Sequence, residues 1–152
     1  MAGATDFLMT VHGMVKLHDR MIKMICGKYQ LTLIEGKIIS FLYNNPGKDT
    51  AGDIVELRKL SKGNVSLAVD SLIQKGMLER EQDQKDRRKI HLSLLAKAKP
   101  ITDLIESTQN EFEKELFRGF SEEERRVYIK LNDRMVENTM NAMNECNEEE
   151  NG

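Results

Sequence analysis

The 152-residue chain has no tryptophan, only 5% aromatic residues, two prolines and two cysteines. So few aromatics leave little material for the flat platforms on which unpaired bases stack, which disfavours single-stranded nucleic acid as a partner. Cys26 and Cys146 are too few and too far apart for a disulfide framework. No apolar run approaches the roughly 18 residues of a membrane span, and no basic stretch followed by an apolar one opens the chain, so a soluble protein in the cytoplasm, with no membrane partner, is expected. Neither charge dominates: 23 basic residues face 25 acidic ones, for a net charge of −2. The phosphate-cradling and nucleophile-elbow signatures G-x-G-x-x-G, G-x-x-x-x-G-K-[ST] and G-x-S-x-G are missing, as is H-E-x-x-H. His12 and His18 stand six apart, neither the three nor the four that sets ligands side by side on a helix, and His91 is isolated in sequence. No enzyme, metal site or cofactor is expected.

Whole-chain charge hides a local imbalance. From Arg58 to Lys89, nine bases stand against five acids, leaving +4, while acidity gathers elsewhere, partly in Glu145, Glu148, Glu149 and Glu150. The most concentrated basic stretch is D-Q-K-D-R-R-K-I-H-L-S-L, Asp83 to Leu94, in which a knot of charge runs straight into an alternation of apolar and polar residues.

The apolar periodicity organises the chain. Phe7, Val11, Met14, His18, Met21 and Ile25 recur at steps of four and three, with Leu8, Val15 and Ile22 widening the stripe, which predicts a long amphipathic first helix. Such a seam packs on another helix, either of its own chain or of a second subunit. A second helix over Thr32 to Tyr43 stops at Asn44-Asn45-Pro46-Gly47. Thr50 and Asp53 form a capping-box-like start for a short third helix, and Ser61 reads as the N-cap of a fourth, with Val65, Ala68 or Val69, Leu72 and Ile73 inward and Gly76 as its left-handed cap. Two short helices joined by about four residues are a helix-turn-helix candidate. The period then changes to two: Leu78 to Gln82, a polar tip, and Lys89 to Leu94 predict a hairpin with Ile90, Leu92 and Leu94 on one face, where they are expected to pin the returning strand to the core. Helical spacing returns from about Lys97 to Phe117, and again after a Ser121 to Glu124 capping box towards Met143. A helix start near Lys97 keeps Pro100 in the first turn, where a missing N–H costs nothing.

The expected fold is therefore mainly α with a small two- or three-stranded antiparallel wing, a winged helix-turn-helix. The run L-T-x-x-E at Leu31, the stretch V-S-x-x-V-D-x-L-x-x-K-G-x-L-x-R at Val65 to Arg80, and D-R-R at Asp86 to Arg88 at fixed separation resemble the MarR family of bacterial winged helix-turn-helix transcriptional regulators. The resemblance implies a single domain over 1–152, with a DNA-binding lobe at about 32–94, dimerisation helices at about 4–28 and 97–145, and a disordered tail at about 146–152. It further implies a cytoplasmic homodimer that binds a pseudo-palindromic operator in double-stranded DNA and is regulated by a small ligand or oxidant. The function so implied is a sequence-specific transcriptional regulator, a repressor released by a small-molecule effector.

The residues support that reading on their own terms. Ser61, Lys62, Gly63, Asn64 and Ser66 lie on the outer and N-terminal side of the fourth helix, where free N–H groups favour a phosphate and Asn64 suits an adenine edge. Leu67 stands where the family often has arginine; it suits a thymine methyl and cannot grip guanine. By the resemblance, Asp86 holds Arg88, which meets the minor groove, while Lys85, Arg87 and Lys89 fit phosphate contacts. A charged hairpin tip alone is more often a solvated turn; the preceding helix-turn-helix favours the functional reading. The chain departs from the family after the wing, where Leu94-Leu95-Ala96-Lys97-Ala98 replaces the usual L-T-x-x-G.

Sensing is less marked. Methionines in the first and last helices, including Met9, Met14, Met21, Met135, Met140 and Met143, are core filler or the lining for a small apolar or aromatic effector. Cys26 lies too close to Leu31-Thr32 for the peroxide-sensing cysteine of some family members, and an inert buried thiol is the simpler reading. The alternatives to an operator-binding regulator are a winged-helix adaptor dimer and a thiol-based redox sensor using Cys26.

Overall fold

The computed structural model describes residues 3–151, with side chains through Asn147. The elements are α1 (Ala4–Tyr29), α2 (Leu33–Asn44), α3 (Ala51–Arg58), α4 (Lys62–Gln74), β1 (Leu78–Gln82), β2 (Ile90–Leu94), α5 (Lys99–Leu116) and α6 (Glu122–Asn151), and they fall into two compact units, Met1–Glu113 and Lys114–Gly152.

Local chemistry sets the boundaries in the first unit. Gln30 ends α1 in the left-handed region at φ 54°. Thr32 then starts α2 through a full capping box: its hydroxyl accepts the Glu35 N–H at 3.2 Å, and the Glu35 carboxylate accepts the Thr32 N–H at 2.8 Å. The expected box at Thr50 and Asp53 starts α3, with bonds of 3.1 and 3.2 Å, and the Ser61 hydroxyl caps α4 by accepting the Asn64 N–H at 3.3 Å. Each such cap satisfies N–H groups that a helix start leaves open and is worth about 1 kcal/mol. Gly76 closes α4 at φ +73°, as the sequence predicts.

One core joins these pieces. Ile22, Ile38, Ile39, Ile54, Val65, Leu72, Leu78, Ile101 and Ile105 are fully buried, drawn from α1, α2, α3, α4, β1 and α5. The inward face of α4 is Val65, Ala68, Val69 and Leu72, with Ile73 half-buried. Gly36 packs tightly against α1: an added Cβ would lie 2.3 Å from Cys26 Sγ and 3.0 Å from Ile22 Cγ2. The buried carboxylate of Glu35 accepts from Lys75 Nζ at 2.9 and 3.1 Å, and the same ammonium donates to the Gln30 carbonyl at 3.1 Å. The ends of α1, α2 and α4 thus meet at one cation.

The wing is two-stranded and antiparallel, with Leu78 opposite Leu94, Arg80 opposite Leu92 and Gln82 opposite Ile90. In place of a third strand there is one backbone bond, from the Leu92 N–H to the Asp49 carbonyl at 2.8 Å. Two sequence expectations are corrected in this region. Ile90 does not pin the returning strand: it is 45% exposed, and only Leu92 of the predicted face is buried, because the strand projects past the core before its tip. After the wing, Ala96–Ala98 forms a 3₁₀ turn and the α-helix begins at Lys99 instead of Lys97; this seats Ala98 and Ile101 in the core and keeps Pro100 in the first turn. Beyond this region, α6 runs through Asn151 with no proline or glycine between Ser121 and Asn151, and so enters the stretch at about 146–152 where a disordered tail is expected. Gly152 and the side chains of Glu148, Glu149 and Glu150 lie outside the described residues.

In the second unit, the Ser121–Glu124 box starts α6 with bonds of 3.1 and 2.7 Å. Gly119 makes the corner at φ +83°, and Phe117, Phe120 and Tyr128 pack edge to face with centroids 5.3 to 6.4 Å apart. The Arg125 guanidinium lies 5.1 Å from the Phe117 ring centroid.

Gly36→Ala is expected to lower stability by about 1–3 kcal/mol through overpacking against Cys26. Adding Cys26→Ala should recover part of the loss, and urea unfolding of the single and double variants measures both effects.

Candidate nucleic-acid interface

The exposed surface of α4 follows from its buried one. With Val65, Ala68, Val69 and Leu72 inward, the helical period turns Lys62, Gly63, Asn64, Ser66 and Leu67 outward, and all five are exposed along with Ser61. Leu67 is 70% exposed, a large apolar side chain with no core role. A Cβ on Gly63 would meet nothing within 4 Å, so nothing inside the molecule demands glycine there. Ser61 is partly committed, because its hydroxyl caps Asn64; the N–H groups of Lys62 and Gly63 remain without intrahelical partners, as in any first turn.

The hairpin tip is built from carboxylates. Asp83 Oδ2 accepts the N–H groups of Lys85 at 2.9 Å and Asp86 at 2.7 Å, and the Asp83 N–H donates to the Lys89 carbonyl at 2.9 Å. These bonds set the turn. Asp86 Oδ1 in turn accepts the Arg88 N–H at 3.0 Å and lies 3.4 Å from Arg88 Nε. Arg88 is 93% exposed, so its guanidinium projects into solvent while its base is held. Lys85, Arg87 and Lys89 are also exposed, and Asp86 is half-buried. The Asp83 carboxyl is held down to about 2, first by the Asp86 N–H, then by His91 and the Lys85 N–H.

A cleft of about 440 Å³ separates α3, α4 and the wing, lined in part by Ala51, Lys62, Ser66, Arg80 and Ile90. The expected residues are thus brought together on two projections, the outer face of α4 and the wing tip, with the cleft between them. An Arg80–Asp70 ion pair ties β1 to α4.

Sequence reasoning missed His91. Its ring joins Asp49, in the loop before α3, through Nδ1 at 2.7 Å, and Asp83, at the wing, through Nε2 at 2.8 Å. The available signal was the hairpin register: once Gln82 faces Ile90, Asp83 falls beside the strand that carries His91.

The sensing candidates lie elsewhere. Cys26 is buried against Gly36, its Sγ 3.4 Å from the Thr32 carbonyl, and burial pushes its thiol pKa up. His18 packs edge to face on Phe112 at 5.4 Å, its pKa lowered by burial and then by Arg58. Among the described residues, no helix is long and apolar enough to cross a membrane.

The MarR family model matches residues 29–89. An HTH-type transcriptional regulator of Bacillus subtilis, YcgE, is 37% identical over 84 residues, 55% of this chain and 54% of that protein, so the match spans about half the relative's length. A MarR-family regulator from Listeria monocytogenes complexed with 26mer DNA has a similar fold, with a TM-score of 0.76 at 17% identity, covering 91% of this chain and 89% of that one. The Staphylococcus aureus MepR–DNA complex gives a TM-score of 0.65 at 22% identity, covering 91% and 98% of the two chains.

A high thiol pKa and burial together slow alkylation. Under native conditions, iodoacetamide is expected to modify the exposed Cys146 at least about a hundredfold faster than Cys26, with Cys26 reacting freely only after unfolding; mass spectrometry of timed samples measures both rates.

Proposed function

We propose, because residues 29–89 match the MarR family model, that the protein is a homodimeric transcriptional regulator of that family that binds a pseudo-palindromic operator in double-stranded DNA. The observation that carries the reading is the pairing of an outward α4 face without structural duties with a wing whose Arg88 is fully solvent-facing yet anchored by Asp86.

Each side chain then has a physical role. A major groove about 12 Å wide admits a helix, and α4 would enter it with Asn64 at an adenine edge, Leu67 at a thymine methyl, and Lys62, Ser61 and Ser66 at phosphates or base edges. The open space at Gly63 permits close approach of backbone to backbone. The wing would reach the adjacent minor groove, whose narrow stretches concentrate negative potential and draw in arginine. Asp86 limits the conformations of Arg88 before contact, which reduces the entropy lost on binding. Lys85, Arg87 and Lys89 would neutralise phosphates and release counterions, adding affinity without sequence information.

Dimerisation accounts for the apolar surface left over. Leu8, Val11 and Val15 on α1 form an exposed helical stripe, and Ile129, Val136, Met140 and Met143 form another on α6. Contiguous exposed apolar stripes of this kind are interaction surfaces, and a second copy of the chain supplies matching ones. Two lobes related by a two-fold axis would read half-sites about one helical turn apart. Repression is proposed to end when a small apolar or aromatic effector changes the spacing of the lobes.

Arg88→Ala is expected to weaken binding to the inverted-repeat duplex recovered from a random pool, and to reduce the slope of log affinity against log salt by about one per half-site. Asp86→Ala should weaken binding in the same direction by releasing Arg88. Wild-type affinity and slope in both variants would remove the wing from the interface. In sedimentation equilibrium the chain is expected to behave as a dimer, whereas a monomer at every concentration would defeat the two-lobe arrangement.

A further inference from the structure

The wing tip receives little apolar support. Of its returning strand only Leu92 is buried, while Ile90 and the whole 84–89 tip, apart from half-buried Asp86, lie exposed. The side-chain connection from the tip to the loop before α3 is polar, and it passes through one ring. His91, about a third exposed, bridges Asp49 Oδ1 at 2.7 Å and Asp83 Oδ1 at 2.8 Å. The residues beside each carboxylate extend the connection: the Asp49 carbonyl accepts the Leu92 N–H, and Asp83 Oδ2 holds the N–H groups of Lys85 and Asp86, two residues before Arg88.

An ionised carboxylate only accepts hydrogen bonds, and a neutral imidazole has a single N–H, so both contacts are hydrogen bonds only when the ring is an imidazolium. We propose that His91, as an imidazolium clamped between Asp49 and Asp83, is the positioning residue that holds the wing tip and thereby sets the DNA contact of Arg88. The proposal rests on the operator-binding reading above.

Other charges around the ring do not replace this clamp. Glu81 stands opposite His91 across the hairpin, and Lys48, Asp53, Arg88 and Lys89 line the same cleft of about 520 Å³. The ring's two hydrogen-bond contacts are to Asp49 and Asp83. The two hydrogen bonds, with Asp49 first, raise the His91 pKa above its ordinary 6.5. A raised pKa means that the stabilisation is fully present below about 6.5 and is lost as pH climbs through the folded-state value. Asp83, down at about 2, does not take up a proton in that range. On deprotonation one ring nitrogen therefore turns a lone pair towards a carboxylate, and the tip loses one of its two ties.

The test uses the full chain between about pH 6 and about pH 9, spanning the ordinary and raised histidine range. Long-range nitrogen–proton NMR reads the protonation of the His91 ring, amide exchange corrected for its intrinsic pH dependence reads the wing, and binding is measured to the duplex recovered from a random pool. His91→Gln, which retains a single donor end towards the two carboxylates, is the comparison, and its thermal melt checks that it folds. In the wild type, both ring nitrogens are expected to carry protons at the acid end, with wing amides about threefold to tenfold better protected and duplex affinity about tenfold higher than at the alkaline end. The variant should show flat profiles near the wild-type alkaline values. A single N–H on the ring at about pH 6, or a variant that keeps the wild-type pH profile in exchange or binding, overturns the clamp while operator binding stands. If no duplex is enriched, the operator reading fails, and with it the link to Arg88; ring protonation and wing exchange then decide the clamp by themselves.

Discussion

The arrangement of the lobe depends on one buried carboxylate. Glu35 is almost wholly inaccessible, and burial alone would push its pKa up; hydrogen bonds from Ser71, Lys75 and the Thr32 N–H outweigh that effect and keep it below the ordinary value. In doing so Glu35 starts α2, receives the Lys75 ammonium from the end of α4, and through Lys75 is tied to the Gln30 carbonyl at the end of α1. Burying a charge is costly unless it is paired and hydrogen-bonded, so only a narrow set of helix placements satisfies it. The consequence is directional. With α4 held at its C-terminal end by this cation and along its length by Val65, Val69 and Leu72, the face carrying Asn64, Ser66 and Leu67 has one orientation relative to the lobe.

The wing solves a different problem with the same chemistry. A two-stranded hairpin has marginal stability by itself, and this one extends beyond the apolar core. Its support comes from aspartates used as acceptors: Asp83 for the turn, Asp86 for Arg88, and Asp49 for the connection back to the helix-turn-helix. Acidic residues inside a basic projection would seem to oppose binding of a polyanion. At the tip, Asp83 and Asp86 are engaged internally, which leaves Lys85, Arg87, Arg88 and Lys89 as the outward charges there. Arg80 and Asp70 follow the same logic between β1 and α4.

Helix starts were legible from sequence because a capping residue acts on N–H groups two or three positions away, and Thr50–Asp53, Ser61 and Ser121–Glu124 all cap where expected. The inward set of α4 and the left-handed Gly76 were legible for the same reason of short range. The outer face of α4 followed from it, since a helix with one face buried must present the other. Ile90 was misplaced because alternation tells which residues share a face and not how far the core extends beneath that face. The Lys97 start missed the 3₁₀ turn, where burial of Ala98 governs the backbone.

The sequence by itself determined the order of elements, the chemistry of their ends and the basic stretch from Arg58 to Lys89, because all of these are set by neighbours a few positions apart. Tertiary structure alone decided which distant groups meet: Glu35 with Lys75, Gly36 with Cys26, and His91 with both Asp49 and Asp83. Those contacts span up to 42 residues of chain, and they arise from helix packing and hairpin register, which no local periodicity encodes. An isolated histidine in the sequence thereby became the junction between the wing and the helix-turn-helix.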